Sequence, residues 1–418
     1  MASNSKNIAE LLNGDTTLTA TDIANDAVTA DKIATGAVVA DGLGAGAVTA
    51  TKLGAGSVTN AKLGADAITT AKIADTVNLG RRNIIINGAM QIAQRATTKT
   101  VAGTGYWTVD RWNQNMGGLG AFTQSQNTDA PAGFMKSLKF DCTTADASPS
   151  ANDALWIEQR IEGQNLQQLG KGTSSAKQMT ISFWVKSSKT GVHVVGVFDN
   201  DNTRSISKSY TVSVADTWEY KTITYPADTT GTFGKDNNMS LLLQWWLGAG
   251  STFTGGSLAD SWAAYSATGR ATGQVNLADS TSNNWHITGV QVEVGDTATP
   301  FEHLTYAEDL LACQRYFWRT TGSDYHGIGA GYVRTSSAVR FYIPNPVDMR
   351  ANASMTKSGA LRCASGTSTI DMTTINAAWT GPRGSMCEFA QSSLTTGHGA
   401  ILHHQNNTSN YLQLDAEL

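Results

Sequence analysis

Residues 17–76 divide without a gap into six decads, and no other feature limits the possible folds as much. The decads read TLTATDIAND, AVTADKIATG, AVVADGLGAG, AVTATKLGAG, SVTNAKLGAD and AITTAKIADT. After the first unit, the second and seventh positions are Val28 and Ile33, Val38 and Leu43, Val48 and Leu53, Val58 and Leu63, then Ile68 and Ile73. Apolar residues five apart fit neither the helical period of 3.6 nor the strand period of 2. The order of residues predicts a short extended piece, about one helical turn, then a turn at Gly or Asp. Thr29, Thr49 and Thr59 stand where a cap belongs, and Gly36, Gly46 and Gly56 where the unit closes. Ordering ten residues costs on the order of 10 kcal/mol or more, while burying two aliphatic side chains returns about 3–6 kcal/mol. A lone chain therefore cannot hold this array. Several copies can, with Val28, Ile33, Val38, Leu43, Val48, Leu53, Val58, Leu63, Ile68 and Ile73 stacked as the core of a shaft in which each unit meets its neighbours.

Composition changes abruptly after the repeat. Residues 1–80 contain no Phe, Trp, Tyr, Cys, Pro or His, and the first aromatic is Tyr106. Aromatic side chains supply much of an ordinary core, so residues 1–80 are not a conventional globule, whereas the remainder is long enough to bury a sizeable core. The net charge of −4 gives no electrostatic reason to expect nucleic acid or an anionic membrane as partner. The 41 glycines, with many Ser, Thr, Asn and Asp, suit short strands and frequent turns. Cys142, Cys313, Cys363 and Cys387 form no CxxC pair and read as reduced, buried thiols. MASNSKNIAE lacks a basic start followed by an apolar run, so no export signal is expected, and no stretch reaches the length of a membrane span.

Beyond the repeat, SFWVKSS, HVVGVFD, WEYKTITY, SLLLQWWL and NWHITGVQVEV have strand character and are separated by turn residues. They predict an antiparallel sandwich of jelly-roll type over 81–304. TYAEDLLACQRYFWR predicts a connector helix over 305–319, with Thr305 and Glu308 as a capping box. Tyr306, Leu310, Cys313 and Phe317 would share one stripe of it. GIGAGYVR, AVRFYIP, ALRC, ILHHQ and SNYLQLDAEL predict a second β-sandwich over 320–418.

Three features resemble tail fibres of tailed bacteriophages. These are the tandem decads, the stretch N-x-x-x-N-G-x-M-x-x-x-Q-R at 83–95 with D-R-W at 110–112, and E-x-L-x-x-C-Q-R-Y-F at 308–317. The resemblance implies a mainly β protein in five parts: a virion-attachment segment at 1–16, a trimeric decapeptide-repeat shaft at 17–80, a carbohydrate-binding-like jelly roll at 81–304, a connector helix at 305–319 and a C-terminal β tip at 320–418. It implies a homotrimer held by a phage tail or baseplate protein at its N-terminus, located in the virion and made in the cytoplasm of the bacterial host. Its partner would be a host surface glycan or protein.

Chemical signatures are sparse. Gly327, Gly329 and Gly331 spell G-x-G-x-G, but no βαβ unit follows, so nucleotide binding is not expected. Glu158 and Glu162 are four apart in WIEQRIEGQ and read as solvated side chains at a strand end, not as paired catalytic carboxylates. In the D-R-W stretch, Arg111 is expected to pair with a carboxylate and Trp112 to fill the core. Trp245 and Trp246 must point to opposite faces of a strand, one to the core and the other outward. His403 and His404 must likewise diverge. Trp262 and Tyr265 in a long polar loop, and Tyr325, His326 and Trp379 in the tip, are the candidate receptor-binding residues, since aromatic faces among hydroxyls and amides suit sugars. No catalytic residue, metal site or cofactor is expected. The alternatives are a tailspike-like glycan-degrading enzyme and a structural collar or spacer.

Overall fold

Within the repeat, local sequence sets local structure. The computed structural model describes residues 29–33, 43, 47–54, 57–58, 81–322 and 325–418. Two compact units result, Met1–Asp75 and Thr76–Leu418. In the first, Ala30–Lys32 and Ala50–Lys52 each form one 3-10 turn, in the same place two decads apart. The Lys32 and Lys52 N–H groups donate to the Thr29 and Thr49 carbonyls, each at 2.9 Å. Thr59, like Gly36, Gly46 and Gly56, lies outside the described residues. The hydroxyls of Thr29 and Thr49 bond the side chains two residues on, Asp31 and Thr51. Ile33, Leu43, Val48, Leu53 and Val58 are each about half exposed in the single chain. Val28, Val38, Leu63, Ile68, Ile73 and the segment 1–16 lie outside the described residues.

The second unit begins with two sheets. One has six strands in the order Thr98–Val101, Ala121–Asn127, Ser137–Thr144, Asn284–Val294, Met179–Ser187 and Glu219–Tyr225. The other has seven: Ala263–Ala264, Arg204–Val212, Gly191–Asp199, Met239–Ala249, Ala154–Glu162, Asn113–Gly117 and Gly105–Tyr106. Strand alternation sends Ile181, Phe183 and Val185 from one sheet, and Ile157, Val195 and Leu243 from the other, into one core. Trp245 sits at its centre, edge-on to Trp112 at 5.4 Å and to Phe183 at 5.9 Å.

The 83–95 and 110–112 stretches are one structural knot. Asn87 donates from Nδ2 to the Ile92 and Asp110 carbonyls at 2.8 and 3.0 Å. Trp112 Nε1 donates back to the Asn87 carbonyl at 3.1 Å. Gln94 N–H donates to Asp110 Oδ1 at 3.0 Å. These bonds satisfy backbone groups that the turns leave unpaired.

A connector helix, Tyr306–Gln314, follows with the Thr305–Glu308 capping box in place. Its buried face differs from the expected stripe. Tyr306 is exposed, whereas Asp309 and Cys313 are buried. Phe317 is buried too, but it opens the strand Phe317–Thr321. The helix ends at Gln314, so the 4-3-4 spacing runs past its last turn. Asp309 is drawn inward because its carboxylate accepts the Asn87 N–H at 2.9 Å.

The tip pairs a three-stranded sheet, Phe317–Thr321, Tyr411–Asp415 and Ser354–Ser358, with a second seven-stranded one. The latter runs Ser368–Met372, Leu361–Ser365, Gly399–His403, Gly327–Thr335, Ala338–Pro344, Gly384–Ala390 and Ile375–Thr380. Val333, Val339, Phe341, Cys387, Phe389 and Leu402 point into a core of their own. Gly329 and Gly331 belong to this sheet. A Cβ on Gly331 would lie 1.8 Å from the Arg340 carbonyl oxygen, so these glycines serve close strand approach. All four cysteines are free and buried.

Candidate functional site

The outer faces of the two seven-stranded sheets are the places to look, because each carries aromatic side chains away from a core.

On the sandwich, that face is covered. Of Trp245 and Trp246 one was expected at the surface, and both are fully buried. The loop after Ala249 folds back over it, and Arg270 lies 4.9 Å above the Trp246 ring and 5.5 Å above Trp156. Phe253 and Tyr265 close the box around the guanidinium, which donates to Gln244 Oε1 at 2.6 Å. Further along the same strand, Glu158 and Glu162 are buried, not solvated. Glu158 accepts from Trp156 Nε1 at 2.7 Å, Arg160 Nε at 2.8 Å and Gln244 Nε2 at 3.0 Å. Glu162 takes two bonds from Arg315, at 2.9 and 2.8 Å. Burial pushes the Glu162 carboxyl up, but the bonds and charge of Arg315 together with bonds from Tyr316 and Gln164 hold it below its usual range. Both carboxylates are thus committed to partners.

The tip's last residues complete the cover. Arg160 donates to the Leu418 carbonyl at 2.5 Å, and the buried Arg111 pairs with Glu417 while stacking on Tyr316 at 3.4 Å. Arg95 reaches Asp415 at 3.1 Å and Glu417 at 3.4 Å. The expectations for Arg111 and Trp112 therefore hold, with the carboxylate coming from 306 residues away.

Trp262 donates to the Pro226 carbonyl at 2.9 Å and packs against the sandwich core, pinning its loop. Tyr265 is partly exposed at the rim of the Arg270 box, edge-on to Phe198 at 5.4 Å. Nearby, Asp199 and Asp228 converge on one cation position, and the chain fills it itself with Lys171, at 2.5 and 3.1 Å. Among the described residues no group of three His, Cys, Asp or Glu is placed to hold a metal ion. Among them, too, no helix is long and apolar enough to cross a membrane.

On the tip, the corresponding face is bare. Register places Thr369 beside Ala364, Ala364 beside Ile401, Ile401 beside Ala330, Ala330 beside Tyr342, Tyr342 beside Met386 and Met386 beside Trp379. The row crosses all seven strands. Its large members, Ile401, Tyr342, Met386 and Trp379, are between 40% and 54% exposed, well above what a core position would show. One row over, Tyr332, Arg340 and Glu388 lie side by side. Arg340 sits 4.8 Å from the Trp379 ring and donates to Glu388 at 2.7 Å. That bond, with a second from Arg334, holds the Glu388 carboxyl low.

At the other end the row opens into a groove of about 500 Å³ lined by Tyr325, Gly327, Arg362, Ala364, Ile401 and His403. Tyr325 and His403 meet edge-on at 5.9 Å. His403 Nδ1 is 2.8 Å from the His404 carbonyl oxygen. A carbonyl only accepts, so this nitrogen carries the proton and Nε2 is left as the free ring atom. Arg362 donates to Asp371 at 3.2 Å, and Gln405 donates to the same oxygen at 2.7 Å. His326 is exposed beside Tyr325, and its carbonyl accepts the His404 N–H at 2.9 Å. His404 is buried, as divergence of the two histidines required.

Tyr325 and Trp379, distant in sequence, thus share one face. Tyr342, Met386, Ile401 and Arg362 were missed. The signal for Tyr342 was present in AVRFYIP, where Val339, Phe341 and Ile343 claim the core parity and leave Arg340 and Tyr342 outside.

No family model matches this chain, and no curated protein does. Several solved structures resemble parts of it. The enzymatically active domain of tailspike protein 4 of bacteriophage CBA120 is 12% identical, with a TM-score of 0.28, over 51% of this chain and 21% of that one. A putative sugar binding protein from Bacteroides thetaiotaomicron is 14% identical, with a TM-score of 0.28, over 51% and 100%. A carbohydrate-binding module, TmCBM61, in complex with β-1,4-galactotriose is 9% identical, with a TM-score of 0.25, over 51% and 99%. The chain spans about a fifth of the tailspike domain's length.

Proposed function

We propose that this chain is the fibre subunit of a tailed bacteriophage, a homotrimer that binds a host surface glycan through the outer face of its tip sheet. The observation that carries the reading is the exposed row from Ile401 to Trp379, ending in the Tyr325 groove. Aromatic rings beside a guanidinium, an imidazole and hydroxyls offer a sugar both its stacking face and its hydrogen bonds. A row this apolar is unusual for a solvated surface without a partner. The half-exposed Ile33, Leu43, Val48, Leu53 and Val58 on a five-residue beat support association through the repeat. The N-terminal segment attaches to a tail or baseplate protein, and the free, buried cysteines suit assembly in a bacterial cytoplasm before release with the virion.

The reading includes no catalysis, and Glu158 and Glu162, the pair singled out in the sequence, are tied to Arg160 and Arg315. Each tip site alone binds weakly, and three copies per fibre raise the avidity by about 10²-fold or more. The test is competition. Purified full-length protein should sediment as a trimer and block phage adsorption to host cells. Trp379→Ala and Tyr325→Ala should each weaken the block, and no reducing sugar should appear from host envelopes. A stable monomer at micromolar concentration removes the shaft. Unchanged blocking by the double variant removes the tip site, and release of sugar replaces the adhesin with an enzyme.

A further inference from the structure

The outer face of the sandwich's six-stranded sheet carries a feature that the tip reading leaves unused. Tyr220 pairs with Trp184 across adjacent strands, and Trp184 pairs with Thr288 on the next. Their rings lie 5.3 Å apart. Directly after Thr288 the ladder breaks at a bulge that includes Gly289. Gly289 has φ +60, and a Cβ there would lie 2.6 Å from Phe134 Cζ and 3.1 Å from Trp184 Cδ1. The bare Cα thus leaves room for both Phe134 and Trp184 against the strand. Phe134 in turn meets Phe301 at 5.0 Å and His303 at 5.3 Å, and Phe301 meets His303 at 4.9 Å, so these three rings form a triangle. Four segments distant in sequence build one strip of five rings, and none of the five is buried.

We infer that this strip is a second saccharide platform, one that takes the flat face of a neutral glycan chain. Three observations select that occupant. The exposed apolar surface of the strip is aromatic, and ring faces attract the C–H face of a sugar, whereas a second protein chain would be met by mixed aliphatic side chains. The pair Tyr220 and Trp184 on neighbouring strands and the triangle of Phe134, Phe301 and His303 beside Gly289 give two ring clusters, which suits a chain of sugars more than a single compact ligand. Two lysines near the strip, Lys186 and Lys139, are paired. Lys186 pairs with Asp129 at 2.7 Å, Trp218 Nε1 donates to the same carboxylate at 3.0 Å, and Lys139 pairs with Asp141 at 2.8 Å. An acidic glycan finds no free cation in these pairs. The hydroxyl of the exposed Thr222, two residues along from Tyr220, supplies a polar neighbour. The platform rests on the reading of the protein as a glycan binder and adds a second contact to it, on the sandwich.

The experiment uses the full-length protein and a panel of neutral gluco-, galacto- and manno-trisaccharides plus one uronic-acid trisaccharide, read by saturation-transfer NMR and tryptophan fluorescence. The background is the Tyr325→Ala, Trp379→Ala double variant, which silences the tip. This background should still bind a neutral trisaccharide. Adding Tyr220→Ser, an exposed position that leaves the fold intact, should weaken that binding about fivefold, and Trp184→Ala should weaken it further, while Trp184→Phe should retain most of it. The uronic-acid probe should not bind to the background. If the tip-silenced protein binds no sugar while the wild type does, the platform is overturned and the tip site stands. Indifference of the residual binding to Tyr220→Ser and Trp184→Ala also overturns it. A wild-type protein that binds no saccharide at all defeats both.

Discussion

The two seven-stranded sheets of this protein have the same strand count and opposite fates. In the sandwich, the outer face is roofed by the loop carrying Arg270, by Arg315 at the end of the connector helix, and by Glu417 and Leu418. In the tip, the corresponding face holds Tyr342, Met386, Ile401 and Trp379 open to solvent. The difference teaches that an aromatic-rich sheet face says little by itself. A Trp on such a face is structural where another segment reaches it and available for binding where none does. The seven-stranded sheet of the sandwich packs its outer aromatics under other segments, and that of the tip leaves its own exposed.

Substitutions at matched positions can break that contrast. Trp246→Ala should cost about 3–5 kcal/mol, since it empties a fully buried site against Trp156, Phe253 and Arg270. Chemical denaturation measures this, and a cost below ~1 kcal/mol would show the roof to be loose. Glu417→Ala should cost a similar ~3–5 kcal/mol, because Arg111, 1% exposed, loses its carboxylate. For the same reason a fragment ending at residue 304 should melt below the full chain, and equal melting temperatures would show the sandwich to be independent of the tip. Arg270→Ala should cost less, ~1–3 kcal/mol, and should make Trp156 and Trp246 accessible to a fluorescence quencher. Trp379→Ala should change stability by no more than ~0.5 kcal/mol while weakening adsorption.

Acid should sharpen the contrast further. Burial pushes His193 and His286, both in the sandwich, down from 6.5 to about 4. The folded state therefore binds fewer protons than the unfolded chain between these values. The stabilising contribution is complete above pH 6.5 and is lost as pH falls towards 4. Asp110 works in the opposite sense. Burial raises it from 3.8 to about 6, so the fold favours its protonated form and carries a penalty that fades as pH drops from 6 to about 4. Two histidines against one carboxyl leave a net loss. The melting temperature should fall from pH 6.5 to 4, and His193→Gln with His286→Gln should flatten the curve. An already flat wild-type curve would contradict the assignment.

What could be read from the chain alone follows a simple division. Features made by residues near one another were legible: the turn after Ala-Val-Thr in the two decads where it is described, the Thr305–Glu308 cap and the alternation that divides each strand into two parities. Hydrogen bonds over three or four residues depend on nothing further away. Errors arose where a local pattern met a distant segment. The helical spacing did not show that Phe317 had already entered a strand paired with Tyr411–Asp415. The parity of Trp246 gave its direction but not the loop that covers it, and Glu158 and Glu162 read as solvated because Arg315 lies 153 residues from Glu162.

By itself, then, the sequence determined that the repeat carries apolar residues on a five-residue beat, that strands dominate beyond it, and which parity of each strand is apolar. Only the tertiary structure decided which of the outward parities stays exposed. It alone assembled the row from Ile401 to Trp379 and the strip from Tyr220 to His303. The physical reason is register. A strand's side chains alternate with a period of two, so a slip of one residue turns every side chain to the other face. Which residues become neighbours across seven strands is set by pairings between segments distant in sequence, and those pairings exist only once the two cores have formed.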